Sequence, residues 1–337
     1  MKRFFCECGQ EVYFDNTHCE KCGKDLAFDP TSLTLLGGER RDNLFIFKAS
    51  NGVETLYKTC AHIEEPLKCN WLIPHDDPNS QCISCRTTRT IPDLSRVKNP
   101  QRWQRLEQAK RRLFYTLLNL GLDVKGAEEL KNGLAFQFLE DQRTNPEVNI
   151  EHVLTGHHEG VITLNAAEAD EGFLHTMKEA MNEPYRTLLG HFRHEIGHYY
   201  WMHLLEGDKL SEFRRVFGDE RFDYPRALTN YYQFGPARHW EVSFISGYAT
   251  SHPFEDWAET WAHYMHITDT LETARAYGLT EYTPGVDDFD NWIAQWTRVT
   301  QVMNALNRSM GLADAYPFIL TPIVLTKLRF IDRLIHQ

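Results

Sequence analysis

Two histidines and a glutamate stand in the order His194-Glu195-Ile196-Gly197-His198. Residues four apart project from one face of a helix, so His194 and His198 can offer imidazole nitrogens to the same metal ion. Glu195 points to the side of such a metal, where it can take a proton from water without occupying a coordination position. A catalytic zinc takes three protein ligands and keeps one position open, and a carboxylate commonly joins two histidines as the third. Glu255 is the candidate and Glu259 the alternative, since the two stand four apart and either can reach. Gly197 sharpens the motif: glycine inside a helix costs about 1 kcal/mol relative to alanine, so its presence suggests a backbone packed too closely for a side chain.

A second kind of chemistry lies near the start of the chain. All eight cysteines fall within the first 85 residues. With no apolar stretch of signal-peptide length after Met1-Lys2-Arg3, they read as thiolate metal ligands in a cytoplasmic protein and not as disulfides. Cys6-x-Cys8 and Cys19-x2-Cys22 form one set, each pair followed by a glycine, Gly9 or Gly23, in the manner of a zinc ribbon's tight turns. Cys60, Cys69, Cys82 and Cys85 form a looser set in which only the last pair has knuckle spacing. Four thiolates are the favoured reading there. His62 or His75 could replace a wider-spaced cysteine, and iron suits the same geometry as zinc. Both sites should be structural, because a short segment interrupted by Pro66, Pro74 and Pro78 is expected to bury little apolar surface and to fold on its metal.

The downstream segment YATSHPFEDWAE, Tyr248 to Glu259, resembles that of gluzincin metallopeptidases of the anthrax lethal factor type. In those enzymes a tyrosine precedes the ligand glutamate by seven residues and a second glutamate follows it by four. The resemblance implies Glu255 as third zinc ligand, Glu259 as a carboxylate that orients a ligand histidine, and Tyr248 as a phenol placed to stabilise an oxyanion. Across nearly the whole length, EPYRTLLGHFRHEIGHYYW, HPFEDWAETWAHYMHITDTLETA and the ribbon pattern FxCxCG...FxNxxCxxCG resemble bacterial zinc-binding metallopeptidases with an N-terminal zinc-ribbon domain. That family implies a zinc-binding peptidase and names no substrate; the three residue sets together predict one catalytic and two structural zincs. In metallopeptidases of this class an edge strand beside the site pairs with an extended substrate; Val161, Ile162, Thr163, Leu164 and Asn165 are the candidate strand, with an interior strand the alternative.

These side chains need elements to carry them. Helical patterning covers Glu183 to Leu205 around the histidines, Pro253 to Tyr277 around the glutamates, and Asp288 to Met310. A last helix starts with Thr321 as cap and Pro322 in its first turn, with Ile323, Leu325, Leu328, Ile331 and Leu334 facing inward. Trp257, Trp261 and Tyr264 recur at helical spacing and read as core. His263 and His266 lie on the same helix and His191 one turn before His194, all better read as packing residues than as ligands. Ile91-Pro92 through Asn99-Pro100 reads as a linker. After it, an amphipathic helix carries Trp103, Leu106, Leu113, Leu117 and Leu120 as its stripe, with Gly121 at its end. Arg102, Arg105, Lys110, Arg111 and Arg112 crowd its other sides, as a solvated basic face or as partners of acidic residues. Leu134 to Leu139 and Gly160 to Asn165 are short and apolar, which predicts a small sheet. His157 and His158 read as loop, and Glu168, Asp170 and Glu171 as a solvated turn.

Together these elements predict an α+β fold: a cysteine-rich double zinc ribbon over residues 1–92, then a mostly helical, gluzincin-like metallopeptidase domain with a small β-sheet over 93–337. The net charge of −11 over 337 residues argues against a nucleic-acid or anionic-membrane binder, which uses a positive excess to displace counterions. The late apolar run from Pro317 to Leu325 is too short to span a bilayer. The expected partner is a peptide or protein substrate, with a protein partner on the ribbons as a further reading. Two rivals remain: an interaction protein whose peptidase-like part turns over little, and a hydrolase of some other amide.

Overall fold

The first cysteine pair sits in a turn between Phe4–Phe5 (β1) and Glu11–Val12 (β2), which pair antiparallel. Gly9 and Gly23 adopt φ of +82° and +76°, a left-handed turn that side chains resist, and their N–H groups donate to the Cys6 and Cys19 carbonyls at 2.8 Å. Next come Asp25–Asp29 (β3), Thr34–Arg41 (β4), Leu44–Lys48 (β5), Glu54–Thr59 (β6) and Leu72–Pro74 (β7), an antiparallel meander in chain order. The cysteine-rich segment buries more than its prolines suggest. Pro66 and Pro78 lie in loops and Pro74 ends β7, so none of them interrupts a ladder. Phe14, Phe28 and Trp71 form an aromatic core, with Phe28 centred 4.9 Å from Phe14 and 4.8 Å from Trp71.

The computed structural model describes residues 1–181, 187–282 and 288–336. It divides into two compact units, Arg3–Phe192, and Met1–Lys2 with Arg193–Gln337. In the first unit a second sheet contains Thr88–Thr90 (β8), Ala135–Leu139 (β9), Gly156–His158 (β10) and Val161–Asn165 (β11). Between β8 and β9 in sequence runs the helix Asn99–Asn119 (α1), whose stripe Trp103, Leu106, Leu113 and Leu117 is buried as expected and which stops ahead of Gly121. Of the two readings of its basic residues, the structure shows pairing with acidic groups, with Arg102 and Lys110 buried and Arg112 still exposed. Arg102 pairs with Asp170 at 2.6 Å, buried Lys110 with Glu107 at 3.0 Å, and Arg112 with Asp15 at 2.8 Å.

The sheet order is β10-β11-β9-β8, and this corrects the reading of β11 as an edge. Val161, Ile162, Thr163, Leu164 and Asn165 pair in parallel with β9, and Val161 to Thr163 pair on their other side with β10. Beyond β10 the Asn165 N–H donates to Thr155 Oγ1 at 3.4 Å. The strand's backbone groups are therefore largely taken, and it offers no open ladder to an extended chain. His157 and His158, read as loop, belong to edge strand β10. Glu168 is no solvated turn residue either: it is buried and accepts from Thr155 Oγ1 and His191 Nδ1, each at 2.6 Å.

The rest is helical: Glu171–Met181 (α2), Leu188–Leu204 (α3), Gly207–Phe217 (α4), Tyr224–Phe234 (α5), Pro253–Ala276 (α6), Phe289–Ser309 (α7) and Pro322–Ile335 (α8). The division between the units falls inside α3. The predicted helix start over 183–186 lies outside the described residues. Trp257, Trp261 and Tyr264 are core residues of α6. In α8, Thr321 caps as expected, its hydroxyl accepting from the Val324 N–H at 3.3 Å. The inward face is Val324, Leu328, Ile331 and Leu334, however, while Ile323 is exposed and Leu325 half-buried. Leu328, Ile331 and Leu334 are thus inward as expected, and Val324, four before Leu328, stands on that face where Ile323 and Leu325 were expected. Among the described residues no helix is long and apolar enough to cross a membrane. The fold is α+β, a cysteine-clustered ribbon region followed by helices and a small sheet.

Candidate metal centre

Helix α3 carries His194 and His198 one turn apart, and α6 begins at Pro253 with Glu255 in its first turn. His252 caps α6, its ring nitrogen accepting from the Phe254 N–H at 3.1 Å. The two helices meet at Gly197. A Cβ there would lie 3.1 Å from both Ala258 Cα and Trp261 Cβ, and Trp257 Nε1 donates to the Gly197 carbonyl at 2.8 Å. The glycine thus brings the backbones close enough for the glutamate of one helix to reach the histidines of the other.

Three atoms converge as a result. His194 Nε2 is 3.2 Å from His198 Nε2, and Glu255 Oε2 is 3.0 Å and 3.6 Å from the two nitrogens. Glu255 is only 1% exposed, and its Oε2 faces the two imidazole nitrogens. A buried carboxylate oxygen turned toward two imidazole nitrogens calls for a cation between them. The spacing suits one, since metal–ligand bonds of about 2.1 Å in a tetrahedron leave the ligand atoms roughly 3.4 Å apart. The donor set, two imidazoles and one carboxylate, is that of an open zinc site.

Around these atoms a second layer fixes orientation. His194 Nδ1 donates to Glu259 Oε1 at 2.7 Å, and since a carboxylate only accepts, this nitrogen carries a proton and Nε2 is the one left to face a metal. Ser246 Oγ donates to Glu259 Oε2 at 2.6 Å and itself accepts from the Ala249 N–H at 3.2 Å. Burial disfavours the charge on Glu259, yet its bonds to His194 and Ser246 and the nearby His263 bring its pKa down to about 2. Burial likewise acts against the His194 cation, and Glu255 and Glu259 outweigh it, raising that pKa well above the usual histidine value. Glu255 is held well below the usual carboxylate range, the two imidazoles outweighing its burial.

Glu195 is buried beside this centre, and its charge acts on both Tyr224 and Tyr248. Tyr248 lies in the turn Tyr248–Thr250 with its ring centred 5.9 Å from that of His194. Burial first, then the charge of Glu255, pushes its phenol well above pKa 10, so it is neutral and able to donate. Sequence reasoning missed Tyr224, whose hydroxyl donates to Glu255 Oε1 at 2.5 Å, and Ser246. Neither sits at a spacing that links it to the motif. Asp256 turns from the centre to Lys327, 2.6 Å away. His263 accepts from or donates to the Tyr316 hydroxyl at 2.8 Å, and His266 contacts Arg193 at 2.5 Å; neither joins the ligand set.

The cysteines gather into two further groups. Cys6 and Cys22 sulfurs are 3.6 Å apart, as are those of Cys8 and Cys19. In the second group the Cys69 sulfur is 3.8 Å from Cys82 and 3.7 Å from Cys85, and the Cys82 N–H donates to Cys60 Sγ at 3.4 Å. Such separations are far longer than a disulfide and match the roughly 3.8 Å expected between sulfurs around a tetrahedral zinc. Cys60 and not a histidine completes the second set, with His62 and His75 outside it. Arg111 is buried near these thiols; burial works against its charge, and Cys69 and Cys85 hold its pKa above the ordinary value.

Among the described residues, two four-cysteine groups and the group His194, His198 and Glu255 are therefore each arranged so that they could hold a metal ion. The chain belongs to the family described as "Putative zinc-binding metallo-peptidase", which residues 99–334 match, and residues 3–96 match a zinc-ribbon domain. It is similar over its full length to uncharacterized proteins of Mycobacterium bovis and Mycobacterium tuberculosis. Each is 40% identical over 348 residues, covering 100% of this chain and 96% of theirs. No solved structure matches the chain.

Proposed function

We propose that the protein is a zinc-dependent peptidase of gluzincin type in which His194, His198 and Glu255 hold the catalytic metal and Glu195 is the general base. The convergence of His194 Nε2, His198 Nε2 and the buried Glu255 Oε2 carries this reading. Zinc bound there supplies Lewis acidity toward a peptide carbonyl and acidifies a water. Glu195, one residue beyond the first ligand, accepts the water's proton as the oxygen attacks the carbonyl and returns it to the leaving amine. Tyr248, neutral and beside His194, donates to the oxygen on which negative charge develops. Glu259 keeps the His194 lone pair aimed inward throughout. The two cysteine groups each hold a structural zinc, and the substrate is a peptide or protein chain.

The test is a peptide library offered to zinc-loaded wild type and Glu195→Gln. Cleavage by wild type that is lost in the variant, with the metal content of both equal, supports the reading. Equal cleavage by both removes Glu195 from the chemistry. Capture of a partner without cleavage favours a binding role for the ribbons, and turnover of small amides alone favours another hydrolase.

A further inference from the structure

We infer that Tyr224 is a positioning residue of the metal centre: its hydroxyl occupies one oxygen of Glu255, so that the carboxylate turns only the other toward the imidazole pair. The inference rests on the reading of Glu255 as a ligand. A carboxylate can give a metal one oxygen or two, and giving one leaves more of the coordination sphere to water and a substrate carbonyl. Here the two oxygens have separate partners. Oε1 accepts from Tyr224 at 2.5 Å, while Oε2 lies 3.0 Å and 3.6 Å from the histidine nitrogens.

The local fold places the phenol with some care. Asp223 caps α5, its carboxylate accepting from the Arg226 N–H at 3.0 Å, and Pro225 fixes the backbone of the first turn, so Tyr224 enters at the first helical position. Its ring stands edge-on to His252, 5.0 Å between centroids at 84°, and His252 is the cap of the helix that carries Glu255. Seven residues on, and so on the same helical face, Tyr231 stands edge-on to Tyr248 at 5.5 Å and 82°. One face of α5 therefore touches both the third ligand and the candidate oxyanion donor. No residue of α5 is fully buried, so the helix has little core packing of its own, and these contacts, with that of Tyr224 on Phe254, hold this face against the centre.

A hydrogen bond that merely tethers α5 would leave the metal environment alone when removed, and this separates the two roles. Tyr224→Phe keeps the ring and its packing on His252 while deleting the donor. Cobalt(II) exchanged into the histidine site of the full chain, read as a difference spectrum against His198→Ala, reports coordination number directly. The expected result is a weaker visible absorption in Tyr224→Phe, as Oε1 becomes available to the metal, together with a roughly 10–100-fold loss of zinc affinity at that site in chelator competition. A wild-type spectrum and affinity in Tyr224→Phe, with the site lost in His198→Ala, overturns the inference and leaves the ligand assignment standing. If His198→Ala binds as much metal as wild type, the ligand assignment falls and the inference with it.

Discussion

Glu259 accepts a hydrogen bond from His194 Nδ1 at 2.7 Å, although the two residues lie 65 positions apart in the chain. The other oxygen of the same carboxylate is held by Ser246 at 2.6 Å. Rotation of the imidazole and choice of its tautomer are thus settled by a group that itself cannot turn. With Tyr224 on the outer oxygen of Glu255, two of the three side chains proposed as ligands are braced from behind.

Replacing Glu259 with glutamine tests that bracing. The amide can still accept from Nδ1, but the charge that favours a strongly donating imidazole is gone. Zinc affinity of the histidine site should fall about 10–100-fold, with the cysteine sites unaffected. Chelator competition followed by metal analysis measures both. An unchanged affinity would show that Glu259 only packs against His194.

Metal counting separates the three centres. The three ligand groups predict three zincs per chain when all are filled. His194→Ala should leave two, and the protein should keep its ribbon fold, because the four-cysteine groups share no residue with the histidine centre. Elemental analysis of the purified variant gives the number. Loss of all three together would mean that the centres are not independent and that the histidine site supports the fold as a whole.

What the sequence made legible was local. The four-residue spacing of His194 and His198, the glycine between helices and the cap at Thr321 are each set by a few neighbouring residues, and each could be read from the chain. Strand neighbours were not legible in that way. The pattern of Val161 to Asn165 is apolar enough for an edge or an interior strand, and only the pairing with β9 and β10 decides between them. Tyr224 and Ser246 were missed for the same reason: each meets its carboxylate through the tertiary path of α6, and no motif spacing records that meeting. For the basic residues of α1 the chain left a solvated face and acidic partners both open, and the choice turns on Asp170, brought to Arg102 by the fold, and on the burial of Lys110 together with Glu107 of the same helix.

Gly197→Ala puts propensity and packing in opposition. Alanine favours a helix interior by about 1 kcal/mol over glycine. The added methyl, however, would sit 3.1 Å from Ala258 Cα and 3.1 Å from Trp261 Cβ, against backbone and a fully buried indole that have little room to move. Overpacking of this kind costs typically 1–3 kcal/mol, so packing should win and the variant should unfold at lower denaturant concentration. Urea melts followed by circular dichroism decide it. A variant more stable than wild type would mean that α3 and α6 do not meet as closely as this.

The buried pair Asp256 and Lys327 makes the last prediction. Lys327 Nζ lies 2.6 Å from Asp256 Oδ2, donates to the Ser243 carbonyl at 2.6 Å, and stands 4.2 Å from the centre of the Phe244 ring. It therefore ties α8 to the start of α6 and to the segment that leads into Tyr248. Burial raises the Asp256 pKa to about 7 even with Lys327 opposing it, which marks how costly the charge is at this position. Lys327→Met removes the opposing cation and leaves a carboxyl group that is unpaired in an apolar setting, a loss of up to about 3–5 kcal/mol when a buried pair is broken from one side and smaller at the pH where the acid protonates. Removing both charges, in Lys327→Met with Asp256→Leu, takes away the unpaired group and should recover most of that loss. Thermal melts of the wild type, the two single variants and the double variant measure the coupling. If the double variant is no more stable than Lys327→Met alone, the pair does not act through charge, and the lysine serves instead through its contacts with Ser243 and Phe244.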